Sequence, residues 1–354
     1  MLAGALRRLL NRYVRIPTAM KPPIRRHKCE RGSLPIRNDR AGTALATILL
    51  VSLLSGLVTP SALASDRLNP DLLKSVLRIE TAPDEHGSIE IGTGFLISTT
   101  GNESGKLLLI TNKHMIGDWN YADQDIRNFR PWINVFFYRL GDPSGVSYRP
   151  KRIDILTDRR LLDTSKIYLH TGSSIDLVAI DVTQIAEDPS EHIQYEAFAK
   201  SYLLPFEYIQ NVYTNIGDDV IALGYPLGIR SLQNDYPIAK VGYLASIPGQ
   251  EVSIPFPCQN RAGISQSVTA KGKFLIVDGL IVPGNSGGPV VLVGGYRWGR
   301  NPQTNALGVS SEPVRNFVIG VVSATLGPSG LSVAVSSDYL LDLMRAGSST
   351  TAPR

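Results

Sequence analysis

The sequence predicts an all-β fold, a sandwich or a barrel. Short runs rich in Val, Ile, Leu and aromatic residues recur between residues 88 and 323, Gly, Pro and Asn/Asp punctuate them, and no series of amphipathic helices interrupts them. Many short strands separated by turn signals belong to that class, whereas an α/β fold alternates strands with helical stretches. Residues 88–98 form the first run, with Ile, Phe and Leu among Gly and Thr. Residues 106–111 follow, with the unbroken apolar stretch 107–110 between Lys106 and Thr111, then 133–138 with aromatics, then 174–182 with Ile, Val and Leu. A less regular, partly polar stretch at 185–215 separates these from a second group at 219–223, 239–246, 274–277, 289–293 and 317–323. One helix is expected at the end, over 336–345, opened by a Ser/Asp cap and closed by Gly347. The body therefore divides into halves at 65–200 and 201–346, with 347–354 a frayed polar tail.

Composition narrows the function. The 354 residues are 43% hydrophobic and 19% charged, ordinary globular material with a net charge of +5. Residues 1–64 carry eleven Lys/Arg against Glu30 and Asp39, which leaves 25 basic and 29 acidic residues in the rest, a net of −4. A mildly acidic body gives no reason to expect nucleic acid as a partner, because phosphate binding needs clustered cations. After the basic stretch, residues 41–58 run without a charge, Thr59-Pro60 breaks them, and Ser61-Ala62-Leu63-Ala64 supplies a small-x-small ending. That order is a signal peptide's, cut after Ala64, and it predicts an exported protein, periplasmic or secreted. An uncleaved membrane anchor is the alternative, since eighteen mostly apolar residues can span a bilayer. The long basic leader also fits a start at Met20 or an organelle transit sequence. Of the two cysteines, Cys29 lies in the leader, so Cys258 is left unpaired and the body must hold together by core packing. Cys258 reads as a small packing residue rather than a nucleophile, because no His is near it in sequence.

Three segments carry candidate chemistry. A serine hydroxyl needs a base to take its proton, a carboxylate to orient that base, and donors for the developing oxyanion. Ser286 lies in Pro283-Gly284-Asn285-Ser286-Gly287-Gly288-Pro289, where flanking glycines allow a tight turn with the N–H groups of Gly284 and Ser286 aimed at one spot as an oxyanion hole. His114 follows the apolar run 107–110 in a short polar turn, while His86 sits in a polar loop and His170 and His192 lack that setting. Asp176 heads the apolar run 177–180 behind Ser173-Ser174, and Asp181 is its rival.

His, Asp and Ser in that order, with Gly-Asn-Ser-Gly-Gly-Pro, resemble the trypsin-like, chymotrypsin-fold serine peptidase superfamily, nearest the bacterial branch that includes the protease domain of periplasmic stress proteases. Gly92-Thr93-Gly94-Phe95 resembles the family's strand ahead of the catalytic His. Residues 219–228 resemble the opening of its second barrel, and Gly320-Val321-Val322-Ser323-Ala324 its cleft strand. The resemblance covers about residues 75–345. It implies two six-stranded antiparallel Greek-key β-barrels with the active site in the cleft between them and a short C-terminal helix. It also implies His114 as general base, Asp176 as orienting carboxylate, Ser286 as nucleophile, and no metal or cofactor. A peptide would add as a strand beside Ser323, Ala324 and Thr325, with Leu280 as the pocket floor and Thr325 and Gly330 on its walls. An apolar floor offers a Lys or Arg no partner, so cleavage is expected after uncharged, small or medium apolar residues.

Departures from the family pattern are informative. Asn112-Lys113 replaces its small residues before the His and reads as a tolerated variant. Long spacings predict inserted loops within 118–170 and 248–272. Asn285 stands where pancreatic-type enzymes carry an Asp that pairs with a new N-terminus, and an amide cannot make that ion pair. No peptide-binding domain of the stress-protease kind fits after residue 346. Two other readings stay open: a binding module that kept the fold and lost turnover, and an esterase with the same machinery. In an α/β-hydrolase elbow the acid and the His follow the serine, whereas here both precede it.

Overall fold

The computed structural model describes residues 68–348 apart from short stretches, the longest being 140–147 and 301–306. The expected leader, signal peptide and cleavage point therefore lie outside the described residues, as does Leu280. Among the described residues no helix is long and apolar enough to cross a membrane.

The first half contains β1 (Val76–Thr81), β2 (Ile91–Ser98), β3 (Leu107–Thr111), β4 (Trp132–Arg139), β5 (Tyr148–Asp154), β6 (Ile167–Leu169), β7 (Val178–Asp181), β8 (Ile193–Gln194) and β9 (Phe198–Ala199). Seven of these pair in the order β5-β4-β1-β2-β3-β7-β6, with β8 added to β4 and β9 to β2. The second half contains β10 (Asp219–Gly224), β11 (Ile238–Leu244), β12 (Val252–Gln259), β13 (Ser265–Gly272), β14 (Phe274–Asp278), β15 (Pro289–Leu292), β16 (Trp298–Arg300), β17 (Leu307–Val309), β18 (Phe317–Thr325) and β19 (Leu331–Ser336). Here β10-β11-β14-β19-β18-β15 closes into a six-stranded barrel. The first half is the other barrel of the expected pair, and its pairing stays open between β5 and β6 among the described residues, a half-barrel beside the closed one.

The interior follows from the two-residue period of a strand, which sends successive side chains to opposite faces. In β2, Leu96 joins Leu77, Ile79, Leu109, Val135 and Ile180 inside the first half, while Phe95 and Ile97 face the other way. In β10, Val220 and Ala222 fill the second barrel and Leu223 faces outward from it. Phe95, Ile97, Leu108, Ile110, Leu223, Tyr225 and Val321 belong to a third cluster that spans both halves. A strand wetted on neither face is apolar throughout, which explains the unbroken Leu-Leu-Leu-Ile of β3.

The expected insertion at 248–272 is a hairpin. β12 and β13 pair only with each other, standing off the barrel. Within it Ile254, Phe256 and Ala270 are buried while Ser253, Pro255, Ser267 and Thr269 are exposed, so one face is dry and one wet. The predicted C-terminal helix spans Ser337–Ser348, beginning one residue later than expected and running through Gly347.

Candidate active site

The glycine-rich turn between β14 and β15 is seated against both halves. Gly287 has φ +86°. A Cβ on it would lie 2.1 Å from the Thr93 carbonyl oxygen and 2.4 Å from Thr111 Oγ1. Gly284 has φ +98° and a Cβ there would meet the Tyr225 carbonyl oxygen at 2.2 Å. Both positions thus need glycine for conformation and for space. Thr93 fastens the turn: its N–H donates to Ser286 O at 2.9 Å, its Oγ1 donates to Gly284 O at 2.6 Å, and its carbonyl accepts from Thr111 Oγ1 at 2.8 Å. Tyr225 N–H donates to Thr93 Oγ1 at 3.1 Å, and the Tyr225 hydroxyl reaches the carbonyls of Val76 and Asp235. Asp235 in turn is flanked by the guanidinium groups of Arg78 and Arg230, at 3.6 and 2.7 Å. Burial raises its carboxyl pKa, and Arg78 then Arg230 oppose that rise.

This fastening leaves the N–H groups of Gly284 and Ser286 without a protein acceptor among the described residues. Ser286 and Gly284 line a cavity of about 270 Å³ with Ile89, Ile91, Leu227 and Pro283. Asn285 points the other way. Its side chain is fully buried, with Nδ2 donating to Val282 O at 3.0 Å.

His114 sits in a one-turn 3-10 helix directly after β3, and Asp176 lies two residues before β7, because that strand begins at Val178 and not at the predicted 174. Since β3 pairs with β7, with Thr111 opposite Val178, the His and the Asp leave adjacent strands at the same end. Nδ1 of His114 lies 2.7 Å from Asp176 Oδ2, and the His114 backbone N–H donates to Oδ1 at 3.2 Å. An ionised carboxylate only accepts, so the proton is on Nδ1 and Nε2 keeps its lone pair. Burial pulls the imidazole pKa down, but the Asp176 charge and hydrogen bond outweigh it, leaving the pKa above 6.5. Asp181, the rival carboxylate, lies in β7 beside Lys106 at 3.5 Å and bonds Thr183 instead. No hydrogen bond joins Ser286 Oγ to His114 among the described residues; the serine reaches the His strand through Gly287 and Thr111.

Several contributors were not legible as such. Asn112 is more than a tolerated variant, since its Nδ2 donates to the Asp176 carbonyl at 2.7 Å, and Lys113 Nζ donates to Gly172 O at 3.2 Å. Burial lowers the Lys113 pKa. Ser323, expected only beside a substrate, donates through Oγ to Asp176 Oδ2 at 3.2 Å and lies 3.0 Å from the Tyr121 hydroxyl. The β18–β19 register shifts between Val322 and Ala324, and such a bulge re-aims the residue within it. Beyond Pro289, which pairs with Val321, β15 has ended, so residues 323–325 keep one open edge, while Ala324 and Thr325 are paired with β19 on the other. Gly330 accepts from Gly279 N–H at 3.3 Å, which places it beside the residue preceding Leu280.

The family model for a trypsin-like peptidase domain matches residues 92–296, a span that contains His114, Asp176 and Ser286. No curated protein matches the chain. Among solved structures, the active form of the Rv3671c protease from M. tuberculosis is similar at 16% identity over 95% of this chain and 97% of that one, with a TM-score of 0.42. An inactive form of the Rv3671c protease is similar at 15% identity over 78% and 89%, with a TM-score of 0.39. The structure of HL collagenase is similar at 11% identity over 82% of this chain and 99% of that one, with a TM-score of 0.42. With more than half of its residues under that one family model, in a chymotrypsin-like double-barrel fold, the chain belongs to the trypsin-like peptidase domain family.

Proposed function

We propose that the protein is a serine endopeptidase acting through an acyl-enzyme on Ser286. The observation that carries this is the double grip of Asp176 on His114, side chain and backbone together, at the end of the strand on which the Ser286 turn is seated. His114 Nε2 takes the Ser286 hydroxyl proton as Oγ attacks the peptide carbonyl carbon. The N–H groups of Gly284 and Ser286 bind the tetrahedral oxyanion, and Asp176 stabilises the imidazolium without taking its proton. His114 then gives that proton to the leaving amine as the carbon–nitrogen bond breaks, and water repeats the sequence to free the acid and Ser286.

The substrate pairs as an antiparallel strand with the open edge at Ser323–Thr325. By the family resemblance Leu280, Thr325 and Gly330 belong to the specificity pocket, and an apolar Leu there favours cleavage after uncharged, small or medium apolar residues. The leader exports the enzyme to the periplasm or beyond, with cleavage after Ala64. An organophosphonate probe should label Ser286 in the folded protein, and labelling should vanish in Ser286→Ala and His114→Ala. Absence of labelling in folded, active-length protein would remove the serine mechanism. A peptide-library digest dominated by cleavage after Arg or Lys would overturn the specificity, and mass spectrometry of the mature N-terminus tests the export.

A further inference from the structure

We propose that Tyr121 is a positioning residue for the Asp176 carboxylate, acting through Ser323, and that the β12–β13 hairpin holds it in place through Phe256, so that the seating of the hairpin sets the turnover rate. The proposal rests on the serine mechanism above and goes beyond it, to a part of the chain outside both barrels.

Proton counting fixes the direction of the chain of bonds. Asp176 Oδ2 accepts from His114 Nδ1–H at 2.7 Å and has Ser323 Oγ at 3.2 Å. Ser323 has one hydroxyl hydrogen, and an ionised carboxylate can only accept it. The Tyr121 hydroxyl, 3.0 Å from Ser323 Oγ, must therefore be the donor there. Burial raises the Tyr121 pKa further above the ordinary phenol value, so the group stays a donor throughout the range in which a peptidase works. The bonds run Tyr121 to Ser323 to Asp176, and a hydroxyl that itself accepts a bond is a stronger donor. The carboxylate oxygen facing His114 is thus partly neutralised and fixed in place from behind.

What holds Tyr121 is the hairpin. Its ring stacks on Phe256 with centroids 3.5 Å apart and planes 4° apart, and Trp119 meets it edge-on at 4.8 Å. Tyr121 is 8% exposed and Phe256 5%. Among the described residues β12 and β13 share no sheet hydrogen bond with either half, so the hairpin is attached by the dry face that carries Ile254, Phe256 and Ala270. A lone two-stranded ribbon is marginal in water, so this docking also completes the hairpin. The charged groups that face His114 are Asp176 before β7, Glu90 before β2 and Arg130 before β4, and Lys113 faces Asp176 from the His turn itself. None of them is on the hairpin, so a change in the His114 titration on altering Phe256 must come through Tyr121.

The test is the pH dependence of kcat/KM for peptide cleavage by the full chain, with phosphonate labelling of Ser286 run beside it. Tyr121→Phe keeps the ring and removes the hydroxyl. With less charge neutralised on Oδ2, the imidazolium is better stabilised, so the acid limb should move up by roughly 0.3 pH unit. kcat should fall about tenfold with KM within about twofold, the pattern of a contact that matters to the chemical step. Phe256→Ala should give the same shift, Phe256→Tyr should restore it, and Phe256→Ala should add nothing in the Tyr121→Phe background. Thermal melting of each variant separates unfolding from mispositioning, and Phe256→Leu serves where the Ala variant does not fold. A Tyr121→Phe profile that superimposes on that of a wild type shown to cleave peptide and, in a separate sample, to label at Ser286 overturns the proposal and leaves the serine mechanism standing. Additive Phe256 and Tyr121 effects overturn the hairpin's part in it. A wild type that does not label removes the mechanism, and the proposal with it.

Discussion

Replacing Asn285 with Asp puts a carboxyl group at a position with no exposure to solvent. The amide's Nδ2 donates to the Val282 carbonyl at 3.0 Å, and the Oδ1 lies where a Cβ on Gly224 would be only 2.7 Å away. No basic side chain hydrogen-bonds Asn285 among the described residues. A protonated carboxyl can donate to Val282 much as the amide does, whereas an ionised one sets oxygen against oxygen in a fully buried site. The folded-state pKa must therefore rise, and groups buried this fully rise by roughly three units or more from about 3.9. Below the unfolded pKa both states hold the proton and Asn285→Asp should be nearly as stable as wild type. Above it the unfolded chain releases the proton and the folded one does not, so stability falls by about 1.4 kcal/mol per pH unit, to a loss of about 4 kcal/mol near pH 7. That is a large share of the roughly 5–15 kcal/mol that holds a domain folded. Urea denaturation of both proteins at pH 4.5 and 7.5 measures the gap. A gap equal at the two pH values, or none at pH 7.5, refutes the reasoning and means that a cation reaches the new carboxylate, as a freed chain terminus does in enzymes that carry Asp there.

Three further outcomes are expected. Gly287→Ala should lower stability by about 2–4 kcal/mol and abolish cleavage, since its Cβ meets Thr93 and Thr111 within 2.4 Å at a positive φ; a melting temperature equal to wild type would mean the turn can move off the first half. The raised His114 pKa predicts that kcat/KM falls with acid from a midpoint above 6.5, and that the His114–Asp176 pair adds stability that is complete below 6.5 and lost as pH rises through the folded pKa; an acid limb centred below 6.5 would contradict this. Tyr225→Phe removes the single hydroxyl hydrogen shared between the buried carbonyls of Val76 and Asp235 and should cost about 1–3 kcal/mol by thermal or urea denaturation, with no change counting against that bond as a tie between the halves.

What the sequence made legible was local. The glycines around Ser286 announce a turn because their conformational demand is written in adjacent residues, and the apolar run before His114 announces a buried strand for the same reason. The elements that escaped depend on distant partners. β1 alternates Arg78 and Glu80 with apolar residues, and Arg78 is buried because Asp235 meets it from the second half of the chain. β12 contains Pro255 and Pro257, which argue against a strand within a sheet yet are tolerated in a ribbon whose outer edges are unpaired among the described residues. Ser323 was expected to meet substrate because its strand is the cleft strand, and only the bulge at Val322–Ala324 turns its hydroxyl toward Asp176. Tyr121 lies 202 residues from Ser323, and no short-range pattern signals that pairing.

Thr93 belongs to the first half, yet it touches the Ser286 turn at Ser286 O and Gly284 O and touches Tyr225 of the second half as well. The chain thereby works as a coincidence detector. On the proposed mechanism His114 and Asp176 arrive with one half and Ser286 with the other, and neither half holds a complete set. On that mechanism a nick in the connecting stretch 185–215 followed by separation should yield two inert pieces. Conversely, two fragments added back together should report their reassembly by the return of cleavage, with Thr93 as the clasp that decides whether they meet in register.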